Sequence, residues 1–219
     1  MKSEAEHLRL NETKWDKWAH AFDGEGWRYK YLRQAQNGLL SLLDIHENIR
    51  VLDVGCGTGW ALGEAATRVA DKGLFYGVDL SEKMIEKAKE NFAGRGSLHF
   101  IKANVESIPL DGNFFDVVIS TNSFHHYLHP DKALTEMQRL LKPEGRMYIL
   151  DPTADHWIVT VADKIIRFFE REHVKMYSTI EFRAMFEKAG LHYLGSENVI
   201  TREKVHIAQK LSDKILPQT

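Results

Sequence analysis

Residues 51–59, Val51-Leu52-Asp53-Val54-Gly55-Cys56-Gly57-Thr58-Gly59, place three glycines at alternate positions straight after a β-branched run. Glycines there let the backbone turn tightly and let a ligand approach without intervening Cβ atoms. The loop is not of the dinucleotide kind, because the third glycine of G-x-G-x-x-G would fall on Trp60, and it lacks the Gly-Lys-Ser/Thr of a phosphate-cradling loop. Asp53, near the end of the run, would repel a pyrophosphate but suits a ligand carrying positive charge. S-adenosylmethionine, with a sulfonium, an ammonium and no phosphate, is such a ligand. Asp79 stands 20 residues after Gly59, at the end of the next β-branched run. A carboxylate there can accept both hydroxyl hydrogens of a ribose, although an acid before a helix can also be a cap.

A second group of reactive side chains is His125, His126 and His129. His125 or His126 could act as a general base on a hydroxyl or acidic carbon, since imidazole titrates near neutrality. The alternative is a polar loop that positions backbone and caps a helix. A three-histidine metal site is disfavoured because two adjacent side chains rarely converge on one ion, so no metal is expected. Asp151, and Asp155-His156 beyond it, fall where the same pocket should be, with a capped turn as the plainer alternative.

These residues need a scaffold that aligns strand ends. From residue 50 the chain alternates short β-branched runs with helical stretches. Strands fit 51–54, 74–78, 98–102, 116–120 and 146–150; helices fit 60–69, 81–92 and 130–141, with Pro130 in a first turn and Pro143-Glu144-Gly145 as a stop. Ser178-Thr179-Ile180-Glu181 is a capping box that opens another helix, followed by strands near 191–197 and 204–209. Residues 157–169 read as an amphipathic surface helix. This alternation predicts an α/β fold with a mainly parallel sheet, helices on both faces, and ligands at the carboxyl ends of the strands.

Residues 51–59, Gly77-Val78-Asp79-Leu80-Ser81, Asn104 to Pro109, Phe115 to Val118 and Leu141 to Gly145 resemble, in order and spacing, the motifs of class I S-adenosylmethionine-dependent methyltransferases. Within that class the likeness is to the small-molecule branch that includes the ubiquinone and menaquinone biosynthesis methyltransferases. It covers residues 50–151 and, as a final helix and strand pair, 177–210. The resemblance implies a Rossmann-like seven-stranded sheet in the order 3-2-1-4-5-7-6 with the last strand antiparallel. It implies a cofactor whose methionine end meets Asp53, Gly55, Cys56 and Gly57, with Gly59 and Ser120 nearby. Asp79 would hold the ribose, Leu80 and Met84 would flank the adenine, and Asn104 and Val105 would meet its edge. Asn104 stands where the branch usually has Asp, and Glu144 where it has Gly.

Residues 1–49 read as a helical cover and 50–219 as the methyltransferase domain, with a helical insertion near 152–176. The resemblance suggests that the cover folds over the cofactor. Trp15, Trp18 and Phe22 could then wall an acceptor pocket together with Asp151, His156 and Trp157, although aromatic residues at helical spacing also make ordinary core.

Several acceptors are disfavoured. Cys56 lies in the loop and is the only cysteine, which argues against cytosine C5 chemistry and against arsenite methylation. The sequence after Ile119 lacks the Asp/Asn-Pro-Pro-Tyr/Phe of DNA amino methyltransferases. A net charge of −2 offers no field for nucleic acid. No apolar run is long enough for a membrane span, and the first residues lack a secretory signal, so a cytoplasmic setting is expected. The reading is methyl transfer by in-line displacement to a small, apolar or aromatic molecule, with a non-catalytic S-adenosylmethionine-binding partner protein as its competitor.

Overall fold

In the computed structural model, residues 3–22, 24, 26–155, 157–169 and 173–212 are described. Two helices, α1 (Glu4–Trp18) and α2 (Trp27–Leu42), precede the first strand, β1 (Arg50–Val54). Then follow α3 (Trp60–Arg68), β2 (Leu74–Asp79), α4 (Glu82–Asn91), β3 (Leu98–Lys102) and β4 (Phe115–Thr121). The chain continues with α5 (Pro130–Leu140), β5 (Leu141–Pro152), α6 (Trp157–Phe169), α7 (Thr179–Lys188), β6 (Leu191–Ile200) and β7 (Glu203–Lys210). The sheet order is β3-β2-β1-β4-β5-β7-β6, with β7 antiparallel to both neighbours, as the resemblance implied. The reversal of strand order beside β1 opens the crevice in which such sheets bind ligands.

Each face of the sheet is covered because each helix carries an apolar stripe. On one side α2, α3 and α4 bury Leu39, Leu40, Leu62, Ala65 and Ile85 against Val51, Phe75 and Ile119. On the other, α5 and α7 bury Leu134, Met137, Phe182 and Phe186 against Leu52, Val118 and Ile149. Thus α2 is part of the core layer and packs closely enough on β6 that a Cβ on Gly38 would come within 2.6 Å of Val199 Cβ. Local signals set several ends. Ser81 accepts from Met84 N to cap α4, and Ser178 and Glu181 form the capping box of α7.

Two segments differ from expectation. The residues around Pro143 do not simply stop a helix: β5 begins at Leu141, pairs Leu141 with Phe115, shifts register and resumes at Arg146. Glu144 absorbs the irregularity in the left-handed region at φ 65°. The helix α6 is also turned unlike an ordinary amphipathic helix. Val159 and Asp163 are buried, whereas Phe168 and Phe169 are 81% and 76% exposed and Ile165 is exposed as well. The polar Asp163 faces inward because His173 Nε2 and Met176 N both donate to its Oδ1, at 2.7 and 2.8 Å. Among the described residues no helix is long and apolar enough to cross a membrane.

Candidate functional site

The carboxyl ends of β1, β2 and β4 open into a cavity of about 280 Å³ that α1 closes on one side. Gly55 and Gly57 form its glycine wall, at φ 76° and 53°, a region that an L side chain rarely adopts. A Cβ on Gly55 would come within 2.6 Å of Ser123 Cβ, so the turn fits the loop after β4 only without a side chain. Asp79 fastens the turn from the neighbouring strand: Gly57 N donates to its Oδ2 and Ser81 N to its Oδ1, both at 2.9 Å. The Leu80 backbone also bonds to this carboxylate, and a lone pair remains on it for a ligand hydroxyl. Leu80 and Met84 continue the wall, followed by Asn104 and Val105. Asn104 Oδ1 already accepts from Glu106 N at 3.1 Å.

Asp53 is fully buried, and neither carboxylate oxygen has a hydrogen-bond partner among the described residues. Desolvation, reinforced by the nearby Asp79 charge, pushes its pKa up to about 8. Asp53 is off the cavity wall, two residues before Gly55 in the chain, and stays mostly protonated at neutral pH unless a cation or hydrogen-bond donor comes close. The ammonium and sulfonium of S-adenosylmethionine meet that condition; a phosphate does not.

The far side of the glycine turn is built by the loop after β4. A 3₁₀ turn at Phe124–His126 places His125 and His126 on the cavity wall. His125 Nδ1 donates to Asp151 Oδ1 at 2.8 Å, and Asp151 is fully buried, its pKa raised by desolvation. Trp15 and Phe22 also line the cavity. The Trp15 ring packs edge-on against Phe22 at 6.2 Å and His126 at 5.3 Å.

Other residues expected at the site serve elsewhere. Cys56 Sγ is tucked into the core against Gly77, and Gly59 ends the turn as the left-handed cap of α3. Ser120 Oγ lies 2.8 Å from Ser123 Oγ and fixes the loop after β4 from behind. Asp151 does not face the pocket; it sits behind His125. Trp18 is 39% exposed and off the cavity wall because the neighbouring Ala19 takes the buried place. No described side chain of α6 lines the cavity; the Trp157 side chain and the whole of His156 lie outside the described residues. His129 pairs at 3.6 Å with Glu4 of α1.

The structure adds groups that carried no sequence signal. Glu203, at the start of β7, lines the cavity, accepts from Asn122 Nδ2 at 2.9 Å, and is pushed up to about 8, first by burial and then by Asp151. Gln36 Nε2 donates to Thr121 Oγ1 at 3.1 Å nearby. On α1, His7 Nε2 lies 3.1 Å from the His126 carbonyl and 2.8 Å from Asn11 Nδ2, and Asp16 Oδ1 accepts from Ser81 Oγ at 2.5 Å and Lys83 N at 3.2 Å. Only contact across 119 residues of sequence relates His7 to His126, so no local pattern could have announced it.

A methyltransferase domain family model matches residues 45–190, about two thirds of the chain, including the glycine turn and Asp79 but not α1, α2 or Glu203. The chain belongs to the methyltransferase domain family. Class I members of this family use S-adenosylmethionine. A ubiquinone/menaquinone biosynthesis C-methyltransferase of Serratia proteamaculans is 31% identical to this methyltransferase domain over 105 residues, 47% of this chain and 42% of that one. The match spans less than half the length of such curated relatives. Two solved structures share the fold. One is the methyltransferase in a complex with the Haloferax volcanii Trm112 methyltransferase activator, with a TM-score of 0.81 at 19% identity over 92% of this chain and 98% of that one. The other is a SAM-dependent methyltransferase from Aquifex aeolicus, with a TM-score of 0.66 at 23% identity over 96% and 100%.

Proposed function

We propose that this methyltransferase domain binds S-adenosylmethionine against the glycine turn and transfers its methyl group to a small, largely apolar or aromatic acceptor in the same cavity. The observation that carries the reading is the buried, unpartnered Asp53 carboxyl directly behind a glycine turn that opens on a mainly apolar cavity. When bound, the cofactor supplies a methyl group on a sulfonium, which a nucleophile displaces in line. The chain's own groups then do the positioning. Gly55 and Gly57 admit the methionine end, Asp53 balances its positive charge, and Asp79 accepts from the ribose. Trp15 and Phe22 exclude water. Glu203, neutral at pH 7 for most of the time, and the Gln36–Thr121 pair offer the acceptor a few polar anchors.

His125, with its Nδ1 proton directed to Asp151, carries its lone pair on Nε2, the atom that takes a proton from the acceptor; His126 orients the acceptor beside it. Calorimetry with S-adenosylmethionine and S-adenosylhomocysteine tests the cofactor reading, and absence of binding to both overturns it. Incubation with labelled methyl donor in a metabolite extract, followed by mass identification of the product, tests transfer. Tight cofactor binding with no labelled product across such extracts would favour a non-catalytic binding protein.

A further inference from the structure

Proteins that hold a transition metal through histidine typically support each ring from behind with a carboxylate or carbonyl. Two of the rings beside this cavity are supported in that way. His125 donates through Nδ1 to Asp151, and His173, on the segment that leads to α7, donates through Nε2 to Asp163 of α6. The two segments are tied together by backbone: Val174 N and Lys175 N both donate to the His125 carbonyl, at 3.0 and 3.2 Å. His126 completes the group. The ring centroids of His125 and His126 are 4.1 Å apart, and that of His173 lies 5.3 Å from the first and 5.9 Å from the second.

We propose that His125, His126 and His173 bind a divalent first-row transition metal ion, with zinc the ion that three imidazoles suit best. One ring nitrogen from each lies within 4.8 Å of the other two. Tetrahedral coordination at about 2.0–2.1 Å per bond sets nitrogens about 3.3–3.4 Å apart, within reach of small ring rotations. The 3₁₀ turn is what allows adjacent histidines to converge, contrary to the expectation drawn from their adjacency. Two buried carboxylates behind the rings favour a cation in front of them. Asp151 Oδ2 in addition has no hydrogen-bond partner among the described residues. Because Asp163 also accepts from Met176 N, its orientation is fixed before any ion arrives.

Three protein ligands with His125 and His126 on the cavity wall leave a position for an oxygen or nitrogen donor of a small molecule, the pattern of catalytic rather than structural zinc sites. In the loaded protein the ion, not the imidazole lone pair, would meet the acceptor, and only that last step rests on the cavity being the acceptor site. The binding test needs no methyl transfer, although a bound ion would occupy the His125 Nε2 lone pair that the ion-free protein offers as a base.

The test uses the full chain stripped of metal by chelator and dialysis, without cofactor. Zinc is titrated by calorimetry, and cobalt(II) is followed by its visible absorption. One ion per chain at micromolar affinity or tighter, with the intense bands of four-coordinate cobalt, is the expected result. His173→Ala should weaken binding at least 100-fold, and Asp163→Asn 10–100-fold, as a supporting carboxylate does. Circular dichroism checks that each variant folds, with His126→Gln in reserve if His173→Ala does not. Millimolar binding, or unchanged affinity in the folded His173 or His126 variant, overturns the site. Loss of binding in His129→Ala instead would assign the ion to Glu4, Glu106 and His129, and would overturn it equally.

Discussion

Binding of a cationic cofactor next to Asp53 should expel a proton. With its pKa near 8, the Asp53 carboxyl carries a proton in about 0.9 of ligand-free molecules at pH 7. A unit cation brought to about 4 Å at an effective dielectric of about 20 favours the carboxylate by about 4 kcal/mol, or about 3 pKa units. The group then titrates near pH 5 and is ionised at pH 7. Titration of S-adenosylmethionine at pH 7 in buffers of different ionisation enthalpy should therefore give a net release of about 0.8 proton, about 0.9 from Asp53 less about 0.1 taken up by the ligand's amino group. Asp53→Asn should abolish the release and weaken binding. The same variant should be more stable without ligand. A raised carboxyl pKa contributes stability that is present below about pH 3.8 and lost as pH rises towards 8, a loss of about 4 kcal/mol at pH 7. Unmet hydrogen bonds of the buried amide return about 1–3 kcal/mol of that, leaving a net gain of about 1–3 kcal/mol. A buffer-independent enthalpy in the wild type, or equal proton release in Asp53→Asn, would refute the assignment of the cation to this carboxylate.

Three further outcomes follow from single contacts. Asp79→Asn replaces one acceptor with an amide that faces a backbone N–H, so cofactor affinity should fall at least tenfold and urea unfolding should show a loss of about 1–3 kcal/mol; unchanged affinity removes the ribose role. Gly55→Ala should lose more than about 2 kcal/mol, the left-handed penalty plus a clash at Ser123, whereas Gly94→Ala, at φ 83° with open space around it, should lose only about 1–2 kcal/mol; equal losses would mean that the turn tolerates a side chain. His206 is stacked on Phe182 at 4.0 Å and pushed down to about 3 by burial. Its stability contribution is present above about pH 6.5 and lost as pH falls towards 3, by about 3 kcal/mol at pH 4. His206→Phe should flatten that acid limb in urea melts, and parallel curves for the two proteins would contradict it.

The strands of the core could be read to within a residue or two at most ends, because β-branched runs, caps and prolines are local signals. The glycine turn with Asp79 was legible for the same reason. Non-local packing was not. Sequence periodicity marks the apolar positions of α6 but not which side faces inward, and here a buried pair, Asp163 with His173, decides against the apolar stripe. His173 carries no motif, and its place beside His125 comes from backbone bonds across about 50 residues. Asp151 was placed at the right strand end, but the inward or backward direction of its side chain depends on where His125 stands. Glu203 was invisible because the antiparallel return of β7, not any pattern around residue 203, brings it to the cavity.

The helix α1 is fastened across the cavity mainly by polar clasps: His7 to the His126 carbonyl, Asp16 to Ser81 and Lys83, Glu12 to Lys102, and Glu4 to His129. Its buried residues include His7 and Asn11, not an apolar ridge. Behind the clasps Leu8 and Trp15 face the cavity, so opening this door would bare apolar surface as well as exchange ion pairs and hydrogen bonds for water, and salt weakens only the charged part. Ionic strength should therefore loosen the Glu12–Lys102 part of the closure and leave its apolar part unchanged.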